Sequence, residues 1–218
     1  MKKKLMTVLA LVLVVAMSVA GTYAYLTSAD KVVNTFTVGN VQIKLDEAKA
    51  NPDGSLVQGA DRVKANSYKL LPGHNYNKDP MVTVLKGSES SYVKMTVTFS
   101  NASQLDAIFA PDGGADMTSI FNGYDSANWI YMGNTEDTVA NTRTYEFWYK
   151  ETVAAPNADV ALDALFDSIT VPGTIDNDQL ATIKGMTITV NAYAIQADGF
   201  KDLNNNGTAA DEAFAQIK

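Results

Sequence analysis

The chain has 218 residues, no cysteine, one histidine and a formal net charge of −7. That combination excludes a thiol nucleophile and a disulfide framework, and it leaves too few histidines for an imidazole-rich zinc centre. It also argues against nucleic acid or an anionic lipid surface as partner, because both repel an acidic protein.

Lys2, Lys3 and Lys4 precede an apolar run from Leu5 to Ala20, which Gly21-Thr22-Tyr23-Ala24 closes. A basic head, an apolar middle and a small-residue exit are the three parts of a secretory signal peptide. The run is shorter than the ~20 apolar residues a spanning helix needs. Residues 1–24 therefore read as a cleaved leader. Thr22 and Ala24 permit a cut between Ala24 and Tyr25, while Ser18-Val19-Ala20 offers a competing cut after Ala20. Residues 25–218 then read as one secreted domain, free of the membrane after cleavage and more acidic once the three leader lysines are gone.

Thr35 to Val38 and Val41 to Leu45 alternate apolar with polar and predict strands, with a bend at Gly39-Asn40. Asn51-Pro52-Asp53-Gly54 and Leu71-Pro72-Gly73-His74 predict turns. Met81 to Leu85 predicts a short strand, and Lys86 to Ser91 a polar loop. Val93, Met95, Val97 and Phe99 share one face of the plainest strand in the chain. Asp116 to Phe121 predicts a helical turn with Met117, Ile120 and Phe121 inward.

Trp129 to Met132 and Tyr145 to Tyr149 predict further strands. The aromatic run Tyr145, Phe147 and Tyr149 reads as core packing rather than a carbohydrate platform. Leu162, Leu165, Phe166 and Ile169 stand at helical spacing behind Asn157 or Asp159, with Pro172-Gly173 as a stop. Met186, Ile188, Val190, Ala192 and Ala194 line one face of a long late strand, and Ala209 to Ile217 predicts a terminal helix. The fold class is therefore mainly β, a β-sandwich or jelly roll with short helical insertions near 102–124 and 155–182 as end loops.

Little in this pattern performs chemistry. His74 sits in a Pro-Gly turn, where a solvated imidazole is the plain reading. Asp46-Glu47, Glu136-Asp137 and Asp211-Glu212 are adjacent acids, and on a strand neighbours face opposite ways. No catalytic residue is expected, and no cofactor, with calcium as the one exception to weigh. Asp202, Asn204 and Asn206, followed by Gly207, match the first half of a calcium loop. Ala213 stands where that loop needs a bidentate Glu. The preferred reading is an Asn/Gly turn leading into the last helix.

Gly21 to Asp30 and Asn34 to Leu45 together resemble the N-terminus of the TasA/camelysin family of secreted Gram-positive proteins. Leu71 to Asp79 and Thr187 to Ala197 are similar to a turn and a late strand of that family, whereas residues 100–182 carry no such likeness. The resemblance implies cleavage after Ala24 by a dedicated signal peptidase. It also implies a jelly-roll subunit of biofilm-matrix or cell-surface fibres, which joins copies of itself, and other matrix proteins as partners, by lending its N-terminal strand to the next subunit. Camelysin-like members are described as metal-dependent proteases. No metalloprotease motif is visible here, so that activity stays a rival reading, as does a calcium-dependent adhesion or carbohydrate-binding module.

Residues 25–38 are the expected donor strand, with Leu26, Val32, Val33, Phe36 and Val38 for burial. Each such side chain contributes ~1.5–3 kcal/mol when fully buried. Ordering the backbone costs about 1–2 kcal/mol per residue, so ladder hydrogen bonds along an accepting edge must supply the balance. Polar breaks at Phe36 or Val38 are expected to abolish assembly. A head-to-tail contact of this kind propagates into an open filament.

Overall fold

The computed structural model describes residues 39–109, 116–201 and 209–217, all within the unit Gly39–Lys218. The strands among them are β1 (Ile43–Asp46), β2 (Asn75–Asn77), β3 (Met81–Val84), β4 (Ser88–Ser100), β5 (Phe121–Asn122), β6 (Trp129–Asp137), β7 (Thr142–Tyr149), β8 (Val153–Ala155), β9 (Val160–Ala161), β10 (Ser168–Thr170) and β11 (Ile188–Gln196). The helices are α1 (Ala102–Phe109), α2 (Met117–Ile120), α3 (Asn177–Thr182) and α4 (Ala210–Phe214). The protein is mainly β, and every strand pairing among the described residues is antiparallel.

β4 organises the larger sheet, whose order is β11-β4-β7-β6, with β8 beside the start of β4. Val93, Met95, Val97 and Phe99 are fully buried on one face of β4, as period-two alternation requires. In β7, Tyr145 and Phe147 lie opposite Val97 and Met95 and extend the same buried row. The other layer is made of two three-stranded sheets, β1-β3-β9 and β2-β10-β5. Val82 and Val84 of β3, and Tyr76 of β2, face the same core.

Phe121 is the hub of that core. Its ring lies 4.5 Å from Phe166, 5.5 Å from Tyr145 and 5.9 Å from both Phe99 and Phe147. Most of these pairs are edge-on or tilted, the arrangements that the ring quadrupole favours.

Three expectations change. The strand β4 starts at Ser88, so the polar loop expected over Lys86 to Ser91 shrinks to Lys86-Gly87, and a register shift between Ser88 and Ser91 absorbs the irregularity. The helix expected over Leu162 to Ile169 is absent. All four of its apolar side chains are buried, but the backbone is held by other strands: Leu162 N–H donates to Val82 O at 2.8 Å, and Leu165 N–H to Pro80 O at 3.0 Å. Helical spacing here records which side chains face inward along an irregular path that ends in β10. The helix of this region is α3, capped by Asp176, which accepts from Gln179 N–H at 2.8 Å while Gln179 returns the bond.

The insertions expected as end loops also do more than decorate. They supply β5, β9 and β10, and α1 buries Leu105, Ile108 and Phe109. Arg143 ties α1 to the sheet through Asp106, at 2.5 and 3.0 Å, and reaches Glu136 at 2.7 Å. The two turns form as expected. Gly54 closes the first at φ +90°, where a Cβ would stand 2.5 Å from Asn75 O, so only glycine fits.

The outer face of the larger sheet is partly roofed by α4. Phe214 lies 4.9 Å from Trp148 and 6.3 Å from Tyr92, and the Lys94 ammonium sits 5.2 Å from the Phe214 ring.

Candidate assembly edge

The residues singled out from sequence fall mostly elsewhere. The cleavage pair Ala24 and Tyr25, the donor-strand residues Leu26, Val32, Val33, Phe36 and Val38, and the calcium candidates Asp202, Asn204 and Asn206 lie outside the described residues. Near the last group, Glu212 accepts the Lys201 N–H at 2.6 Å. Among the described residues no group of three or more His, Cys, Asp or Glu side chains is placed to hold a metal. His74 is exposed in its turn.

What the fold adds is a sheet edge. Among the described residues β11 pairs with β4 alone and so forms an edge of the larger sheet. The register runs without interruption from Ile188 opposite Phe99 to Gln196 opposite Ser91. Ser100 N–H donates to Thr187 O at 3.0 Å, and Ala197 N–H to Ser90 O at 2.8 Å. Alternation then directs the peptide groups of Thr189, Asn191, Tyr193 and Ile195 toward β4. Those of Ile188, Val190, Ala192 and Ala194 point away from it.

The same four residues carry the inner row of side chains, lying opposite the buried Phe99, Val97, Met95 and Val93. They are only partly buried, although they pack against the core. This edge therefore offers outward backbone donors and acceptors together with incompletely covered apolar side chains. It also lacks the usual guards. The nine residues Ile-Thr-Val-Asn-Ala-Tyr-Ala-Ile-Gln include no charge and no proline, and no bulge interrupts them.

The facing edge of the other layer is guarded. β1 is an edge strand, but the chain folds back along its end, where Glu47 and Val63 exchange backbone bonds of 2.9 and 2.8 Å. Lys64 Nζ donates to Leu45 O. Among the described residues the ladder is thus open at β11 and closed at the end of β1.

A trough runs beside the start of β11. One hollow of about 710 Å³ lies between Tyr68, Leu70, Leu180, Met186 and Ile188. A second of about 360 Å³ continues past Leu45, Pro80 and Val190. Ile188 and Lys78 border both, and Tyr68 and Tyr76 line a small apolar recess that Ile188 and Lys78 also reach. The walls are mostly apolar at one end and charged at the other.

Asp46, at the charged end, belongs to a network. Arg62 Nε lies 2.5 Å from Asp46 Oδ1, and its Nη1 lies 2.8 Å from Asp79 Oδ2. Lys44 Nζ lies 2.7 Å from Asp46 Oδ2. Burial alone would push the Asp46 carboxyl up, but the hydrogen bonds from Lys44 and Arg62 outweigh it and hold the group below its ordinary 3.8. A depressed folded-state pKa contributes stability that is complete above the unfolded value and is lost as pH falls through the folded one. The network is therefore expected to stabilise the fold at neutral pH and to weaken below about pH 3.8. Arg62→Gln is expected to move the midpoint of acid unfolding, followed by circular dichroism, to higher pH; an unchanged midpoint would contradict the role given to Arg62.

No protein-family model matches the chain, and no curated protein matches it.

Proposed function

We propose that the protein is a secreted, structural rather than catalytic subunit that assembles head-to-tail into extracellular fibres, the N-terminal segment 25–38 of one copy adding a strand to the free edge of β11 in the next. The observation that carries the reading is the β11 edge, open among the described residues, with partly covered Ile188, Val190, Ala192 and Ala194 beside a partly apolar trough. Strand addition draws its affinity from main-chain bonds and its specificity from alternate side chains, and this edge offers both on the same residues. The segment 25–38 is longer than the nine residues of β11 and brings the alternating Thr35-Phe36-Thr37-Val38. The resemblance of residues 21–30 and 34–45 to the TasA/camelysin family supports the same assignment, as does the leader-like sequence 1–24, whose removal would free the donor only outside the cell.

The test compares chains that start at Tyr25 and at Gly39, by electron microscopy and light scattering. Fibres are expected from the first and monomers from the second. A chain starting at Tyr25 that remains monomeric at high concentration overturns the proposal, and so does a chain starting at Gly39 that polymerises equally well.

A further inference from the structure

The charged end of the trough holds a second constellation that is independent of fibre assembly. Lys78 and Glu47 are both buried, with side chains 9% and 7% exposed, and Lys78 Nζ donates to Glu47 Oε2 at 2.5 Å. The other carboxylate oxygen, Oε1, accepts from Asn66 Nδ2 at 3.0 Å. The amide of Asn66 is itself fixed: Nδ2 also donates to Ala48 O at 2.8 Å, and Oδ1 accepts the Ala50 N–H at 2.9 Å. One carboxylate thus bridges an amine and a carboxamide, and a backbone N–H polarises the amide carbonyl.

Each contact alone is what a buried polar group needs to be satisfied. Together they make an amine nucleophile, a proton shuttle, an acyl group and an oxyanion donor. The geometry points to an intramolecular amide cross-link, formed autocatalytically between Lys78 Nζ and Asn66 Cγ with Glu47 as the catalytic residue.

The steps balance without an outside reagent. For the attack a proton passes from the Lys78 ammonium to Glu47 Oε2 along the existing hydrogen bond, which leaves a neutral amine. The Nζ lone pair forms a bond to Asn66 Cγ, and the carbonyl pair moves onto Oδ1. The Ala50 N–H, already aimed at that atom, stabilises the oxyanion. Glu47 then delivers a proton through Oε1 to Nδ2 as the Cγ–Nδ2 bond breaks, and it collects the second proton that Nζ sheds. Lysine ammonium and carboxamide become a secondary amide and an ammonium ion, with Glu47 restored. Glu47 holds Nζ on one carboxylate oxygen and the Asn66 amide on the other, and Nζ must cross between them to reach Cγ.

The cross-link would join the segment that folds over β1 to the connection between β2 and β3, in a chain that has no cysteine to do so. The test is a tryptic peptide map of the folded full chain by tandem mass spectrometry. The expected result is a missed cleavage at Lys78 and a branched peptide joining the Lys78 and Asn66 segments, lighter by one ammonia than its two parts. Glu47→Gln keeps the shape and removes the shuttle, and Lys78→Arg removes the nucleophile; both are expected to reduce the branched peptide from the main species to none. Linear, unmodified Asn66 and Lys78 peptides from the folded wild type overturn the proposal, as does deamidation of Asn66 with Lys78 still cleavable. The wild-type map decides by itself, so a variant that fails to fold does not blunt the test.

Discussion

Ala192→Pro is expected to leave a folded chain that no longer assembles. The Ala192 N–H points away from β4, so proline there removes no bond of the larger sheet, and edge strands tolerate proline at such positions. The incoming strand, however, loses a ladder bond at the middle of β11 and meets the pyrrolidine ring. The critical concentration for polymer formation is expected to rise at least about tenfold, the equivalent of ~1.4 kcal/mol. Asn191→Pro, one residue away, is the control. Asn191 lies opposite Thr96 with its peptide group toward β4, so proline there removes a native bond and destabilises the fold by about 1–3 kcal/mol. Sedimentation of assembled material and the thermal midpoint separate the two variants. Fibres from Ala192→Pro at wild-type concentration would show that β11 is not the accepting edge.

Phe121→Ala is expected to destabilise the fold more than loss of any ion pair on its surface. Four aromatic rings surround Phe121 within 6 Å, and it sits on β5, the strand that closes the small sheet through Ile169 of β10. Removing the ring opens a cavity that the flanking sheets cannot fill, at about 3–5 kcal/mol, against ~0–1 kcal/mol for an exposed ion pair. For a domain of this size the melting temperature is then expected to fall by about 6–20 °C. Phe121→Leu keeps most of the volume and is expected to lose under ~1.5 kcal/mol. Calorimetry of the two variants checks the assignment, and equal losses would mean that ring contacts, not volume, dominate.

The strands with one dry face are legible in the sequence because alternation is a local property. Val93 to Phe99 and Ile188 to Ala194 are such cases. Leu162 to Ile169 misleads for a physical reason: four buried side chains at helical spacing look the same whether the backbone bonds to itself or to Val82, Pro80 and Asn122. The helix α1 carries a weak signal in Leu105, Ile108 and Phe109. That β11 lies at an edge is not legible, since strand order is set by long-range pairing. Its freedom from charge and proline is there to be read, but that marks an open edge only once the edge is known. Glu47, Asn66 and Lys78 are brought together by the turn back over β1, and nothing in their spacing announces it.

The placement of α4 has a consequence for the form of any polymer. With Phe214 seated on Trp148 and Tyr92, part of the broad outer surface of the larger sheet is withdrawn from face-to-face stacking, while its margin stays available. If copies join as proposed, growth is thereby expected to run in one dimension, lengthening a thread instead of thickening a plaque, with α4 as a built-in spacer against amyloid-like lamination.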